Sequence, residues 1–293
     1  MPVTSPKIKE YLNRPYPYYY GSWDKLLLIL TSVSVLSFSF SYFFEPFEVN
    51  RAEHKFDYFW ICIVHAFVPL GIALVYFLIL DILRTDEHRW TLGKETLHLS
   101  ILLGLIGIGS FLVRDIIYDN PNNWSWRYFW EEIRNTFLVG SLLLAVLLPL
   151  NLERLLSKYT TAASRLNILD TGELPNKGTV PIETPINSEA FELDITNFLF
   201  AKVDGNYMEI YKQEGDAIQK ILIRLPLKQL KTQLLAFPLI FQTHRSYLVN
   251  IHRITSVSGN AQGYLLSFEG CDVEVPVSRS RIAEFNAFFL KNA

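Results

Sequence analysis

Tyr58-Phe-Trp-Ile-Cys-Ile-Val-His-Ala-Phe-Val-Pro-Leu-Gly-Ile-Ala-Leu-Val-Tyr-Phe-Leu-Ile-Leu80 is a run of 23 residues without one Asp, Glu, Lys or Arg. The hydrocarbon core of a bilayer, about 30 Å thick, is crossed by about 20 apolar residues in helical form. Three more such runs flank it: Leu26–Phe44, Thr96–Val113 and Asn135–Leu152, of 19, 18 and 18 residues. The connections between them are short. The pattern predicts an α-helical membrane domain of four transmembrane helices over residues 1–152, with spans at 26–44, 58–80, 96–117 and 134–152. The first run starts only at Leu26 and is followed by Glu45-Pro46-Phe47 rather than a small-x-small site. It therefore reads as a span and not as a cleaved signal.

The whole-chain figures agree. Of 293 residues, 50% are hydrophobic and only 19% charged, and the formal charge is −2. Fourteen Gly, fourteen Pro and 14% aromatics exclude a disordered or collagen-like chain. Two cysteines, Cys62 and Cys271, exclude a disulfide scaffold, and neither has metal-ligand residues beside it. There is no nucleophile–base pair and no phosphate loop, so neither an enzyme nor a cofactor or metal site is expected.

Lys and Arg concentrate before the first run (Lys7, Lys9, Arg14, Lys25), in the second connection (Arg84, Arg89, Lys94) and after the fourth run (Arg154, Lys158, Arg165). Cytoplasmic flanks of membrane helices are enriched in these residues. The expectation is a multi-pass protein of a bacterial cytoplasmic (inner) membrane with both termini cytoplasmic. The two outer loops, near 45–57 and 114–134, are too short for a sensor domain. Trp124, Trp126, Tyr128, Phe129 and Trp130 fit an interfacial aromatic belt. His65 is ionisable at membrane depth, which makes it a possible membrane-signal site; the plainer reading is a neutral His bonded to a neighbouring helix. Pro69 is expected to kink its helix. Gly104, Gly107 and Gly109 are expected to let helices approach closely.

Beyond Leu152 the composition changes. Residues 153–190 read as a cytoplasmic helix, able to pair with a second copy, followed by a linker holding Gly172, Pro175, Gly178, Pro181 and Pro185. From Phe191 apolar residues alternate. Ile195–Val203, Tyr207–Tyr211, Ile218–Leu225, Ser246–Asn250, Arg253–Ser258, Tyr264–Phe268 and Asp272–Val277 read as strands. Pro226–Ala236 and Ser278–Leu290 have helical spacing. Residues 191–293 are therefore a mainly β domain with one or two short helices. Eleven bases against ten acids give this domain a charge of only +1. That is little for a nucleic-acid binder, which presents a basic face.

Three strings carry more than the charge does: Val203-Asp-Gly-Asn-Tyr-Met-Glu-Ile210, Thr243-His-Arg-Ser-Tyr-Leu-Val-Asn250 and Val275-Pro-Val-Ser-Arg-Ser-Arg281. In order and spacing they resemble the signatures of the LytTR DNA-binding family, over roughly Phe191 to Leu290. The resemblance implies small β-sheets with a short helix, and loops rather than a recognition helix entering successive major grooves. It implies DNA contacts from Asn206 and Tyr207, from His244 and Arg245, and from Arg279 with Arg281 close behind. Arg pairs bidentately with guanine, and Asn or His meets base edges or phosphates. His244 has the alternative of bonding backbone and holding Arg245; Asn250 reads as structural. Many LytTR proteins carry a phosphorylatable receiver domain, whose place the apolar runs take here.

The expected function is a membrane-anchored transcription regulator, a homodimer binding double-stranded promoter DNA. Its input would come through the lipid bilayer region, from a membrane protein partner or a small apolar ligand. The alternative is a membrane receptor or scaffold whose β-module binds a protein partner.

Overall fold

The structure, a computed structural model, describes residues 6–18, 23–45, 50–83, 90–166, 178–185, 190–215 and 217–291. Arg84, Arg89 and most of the expected linker lie outside the described residues. The chain divides into two compact units, Met1–Leu152 and Glu153–Ala293.

The first unit is helical. A short α1 (Pro6–Leu12) precedes α2 (Trp23–Phe44), α3 (Tyr58–Ile82) and α4 (Leu92–Ile117), and α5 (Trp126–Ser164) begins here and runs on into the second unit. Four of them, α2 to α5, are long and apolar enough to cross a membrane. At 1.5 Å per residue, α2 to α4 are about 33–39 Å long. Thr91 caps α4 by accepting the Lys94 amide at 3.3 Å. α3 continues through Pro69 without a break. Helices adjacent in sequence pack together, α2 on α3 and α3 on α4. Gly107 admits Ile133 of α5, where a Cβ would come 3.1 Å from its Cα, and Gly109 faces Ile72 of α3. Gly104 has nothing within 4 Å of a would-be Cβ, so it is not part of a helix contact.

α5 starts eight residues before the expected span at 134–152. Its added turns carry Glu132, which accepts from Arg114 of α4 at 2.7 Å. The Arg114 guanidinium also lies 3.7 Å from the Tyr128 ring centroid. Mutual neutralisation lets both charges sit part-buried, Glu132 in a helix whose expected span began after it. Tyr128 thus packs against this ion pair, whereas Trp124, Trp126 and Trp130 are exposed.

The second unit is built on antiparallel sheets. Thr179–Ile182 (β1) and Phe191–Asp194 (β2) form a two-stranded ribbon. Five strands follow: β3 (Phe198–Asp204), β4 (Tyr207–Glu214), β5 (Ala217–Ile223), β6 (Ile240–His244) and β7 (Tyr247–Asn250). Their sheet order is β5-β4-β3-β7-β6. A second sheet, β10-β9-β8, consists of β8 (Ile254–Asn260), β9 (Gly263–Phe268) and β10 (Cys271–Val277). Two short helices complete it, α6 (Leu227–Gln233) and α7 (Ile282–Lys291).

β3 is buried on both faces at Phe198–Ala201. One face joins a core of Leu193, Met208, Ile210, Leu230 and Leu248. On the other, Phe200 stacks on Tyr211 at 4.4 Å and meets Phe268 of the second sheet at 5.1 Å.

Three expectations need correction. The strand expected over Ile195–Val203 is interrupted, because Asp194 accepts the Thr196 amide at 2.9 Å and the Asn197 side chain at 3.0 Å, turning the chain before β3. Thr179–Ile182, inside the expected linker, is a strand with Ile182 buried; Pro181 is tolerated because β1 is an edge. β6 was not anticipated at all.

Candidate nucleic-acid interface

The three loops singled out by the sequence strings gather at one end of the five-stranded sheet. β3 and β4 are joined by a two-residue turn, since Asp204 pairs with Tyr207. Gly205 takes φ +59° there, which a side chain would resist, and Asn206 is exposed beside it. β3 also pairs with β7, Lys202 opposite Tyr247, and the Val203 amide donates to the Ser246 carbonyl at 2.8 Å. The β6–β7 turn thus lies next to the β3–β4 turn. The third loop is tied to the second by the Ser278 amide, which donates to the Thr243 carbonyl at 3.0 Å.

Within the second loop His244 is buried and its Nδ1 accepts the Ser246 amide at 3.1 Å. That bond fixes the turn on which Arg245 stands exposed. His244 therefore has the geometry of a residue that holds Arg245. Asn250 is structural: its Nδ2 donates to the Ile195 and Phe198 carbonyls at 3.0 and 3.1 Å.

Arg279 and Arg281 differ. The Arg281 guanidinium pairs with Glu284 at 3.1 Å and lies 5.1 Å from the Phe241 ring centroid, with its Nε buried. It ties the start of α7 to β6. The Arg279 stem runs past Gly263, whose would-be Cβ lies 3.8 Å from Arg279 Cγ, at the corner itself.

Arg224 was missed. β4–β5 register pairs Met208 with Ile223, which brings Arg224 to Tyr207. Its guanidinium donates to the Tyr207 hydroxyl at 2.7 Å and lies 5.1 Å from the ring centroid. A cation thus accompanies an aromatic ring beside the first loop, a pairing visible only once hairpin register is known.

Behind the first loop, Glu209 accepts from Lys220 at 3.0 Å and from the Tyr211 hydroxyl at 2.9 Å, with Lys202 at 3.6 Å. Burial alone would raise its pKa, but these donors and charges outweigh it and hold the carboxyl below the usual carboxylate range. Two of the domain's bases are thereby spent internally. Elsewhere, His65 in the helical unit places Nε2 3.1 Å from the Tyr118 hydroxyl, bonding it to the end of α4. Among the described residues no group of His, Cys, Asp or Glu could hold a metal ion.

Residues 188–289 match the family model of the LytTr DNA-binding domain. Among solved structures, the LytTr DNA-binding domain of a Bacillus cereus protein is similar, with 19% identity and a TM-score of 0.31; the match covers 39% of this chain and 97% of that one. Residues 188–289 are a LytTR DNA-binding domain, preceded by a helical region with four long apolar helices.

Proposed function

We propose that this chain is a membrane-anchored transcription regulator that binds promoter DNA as a homodimer through the three clustered loops. The observation that carries the reading is the joining of a LytTR DNA-binding domain to helices whose outer faces are apolar. Leu28, Leu36, Phe43, Ile82, Leu142 and Leu150 are each more than 60% exposed. Water would not tolerate so continuous an apolar surface, whereas lipid matches it. Both termini are cytoplasmic in this reading, as the Lys and Arg distribution favours.

Arg245, Arg279 and Asn206 read or clamp the duplex, Tyr207 with Arg224 meets the backbone or stacks, and His244 and Arg281 hold their neighbours in place. Input reaches the helical unit as a small apolar ligand. An open cavity of about 270 Å³ between α4 and α5, bordered by Tyr11 and Leu12, supports this, with Leu103, Phe137, Leu144 and Leu148 in its wall. The hydroxyls of Thr96 and Ser100 that line it are spent on backbone carbonyls at 2.8 Å, which leaves little polar demand for a ligand to meet.

Alkaline carbonate washing of membranes, followed by retrieval of fragmented genomic DNA on the washed membranes, tests the reading. Retention of the protein and enrichment of specific fragments are expected. Release of the protein by the wash, or DNA capture no greater than that of an Arg245→Ala, Arg279→Ala variant, would contradict it.

A further inference from the structure

The last turns of α5, from Glu153 onward, belong to the same compact unit as the DNA-binding domain. Leu155, Tyr159, Ala163 and then Leu166 recur at spacings of four, four and three, and all four are buried. One face of the tail is therefore covered. It meets the β8–β9 hairpin: the Tyr159 ring stands edge-on to Tyr264 at 6.3 Å, and the Thr160 hydroxyl lies 3.5 Å from the Gly259 carbonyl. The helix approaches β8 so closely that a Cβ on Gly259 would overlap the Tyr159 carbonyl and the Thr160 amide.

The same stripe has the three-and-four spacing of a helix-pairing seam. Two identical helices leaving a membrane side by side would present it to one another. The exposed side of the helix carries Glu153, Arg154, Ser157, Thr160, Thr161 and Ser164 and has no apolar stripe to offer a second copy. The hairpin that occupies the stripe also reaches the DNA loops. At its turn Gly263 abuts the Val277 carbonyl and the stem of Arg279. The seat is non-covalent, and two states that compete for one face exchange according to their relative free energies.

We propose that the buried face of the α5 tail is a switch surface: seated on β8–β9 it holds the chain as a monomer, and released it pairs with the same face of a second copy. Pairing brings two LytTR domains to one duplex and raises the local concentration of the second. The inference rests on the proposed function for its DNA consequence, though not for the switch itself.

The two occupants are separable by mutation. Gly259→Ala blocks the seat without touching the seam, whereas Tyr159→Ala weakens both. The test uses the full chain in lipid nanodiscs or detergent with Cys62 and Cys271 replaced by Ser and a reporter thiol at Ala163→Cys. Gly259→Ala should speed thiol crosslinking between copies at least fivefold, and adding Tyr159→Ala should reverse the gain. Crosslinking unchanged by Gly259→Ala in a folded protein overturns the proposal. Should Gly259→Ala fail to fold, labelling of the parent decides: in dilute monomeric detergent, a thiol at Ala163→Cys should react with maleimide about tenfold slower than one at exposed Ser157→Cys. Equal rates overturn the seat. Crosslinking as expected with no gain in DNA binding upholds the switch and overturns the DNA reading instead.

Discussion

Arg279→Ala and Arg281→Ala should fail in different ways, although the residues stand two apart in one string. Arg281 contributes an ion pair with Glu284 at 3.1 Å, whose side chains are 32% and 56% exposed, and a guanidinium 5.1 Å from the Phe241 ring centroid. Screening limits the ion pair to about 0.3–0.5 kcal/mol. The ring contact adds about 0.5–1 kcal/mol. Loss of both lowers the stability of the DNA-binding unit by about 1 kcal/mol, a fall in Tm of about 3–5 °C at this size. Arg279 lies at the corner with its stem against Gly263, so the readout that separates it from Arg281 is DNA affinity. Removing it should cost about 1–3 kcal/mol of DNA affinity if it reads a base, which is about 5- to 150-fold in Kd. Fluorescence anisotropy with selected and scrambled duplexes, alongside thermal unfolding, measures both. A larger loss of affinity from Arg281→Ala than from Arg279→Ala at matched folded fraction would refute the division of roles. An equal loss on both duplexes, with a salt slope shallower by about one, would make Arg279 a phosphate clamp.

Three further perturbations have signs set by the structure. Asn250→Ala strands the buried Ile195 and Phe198 carbonyls and should cost about 2–4 kcal/mol in denaturant unfolding. Gly107→Ala forces Ile133 away from α4 and should weaken the helical unit in detergent unfolding assays, whereas Gly104→Ala meets nothing within 4 Å and should be silent. Glu209 has a folded pKa below its ordinary 4.5, so its contribution is complete above that pH and disappears as pH falls through the folded value. Glu209→Gln should therefore lower stability at pH 7 and flatten its dependence on pH below about 4.5.

The sequence made the apolar helices and the three loops legible for different reasons. Runs free of charge announce spans directly, but the start of α5 was hidden by Glu131, Glu132 and Arg134. Only the distant Arg114 explains how Glu132 fits inside a helix. β6 escaped notice because Leu239, Ile240 and Phe241 form an unbroken apolar run after Pro238, with no alternation to mark a strand. The site strings located Asn206, Arg245 and Arg279 one by one, yet their common position at one sheet end comes from β3–β7 pairing, which links residues some 45 apart. Arg224 lay beyond reach for the same reason. The tail of α5 was legible as a helix; that its apolar face is covered within its own chain was not.

The domain's charge of +1 makes DNA binding the claim most in need of direct test. The full chain in lipid nanodiscs, challenged with a random duplex library at low salt and sequenced after repeated capture, provides it. Enrichment of a defined motif, lost in the Arg245→Ala, Arg279→Ala variant, is the predicted result. Capture without any sequence enrichment, or none at all at low salt, would contradict the account.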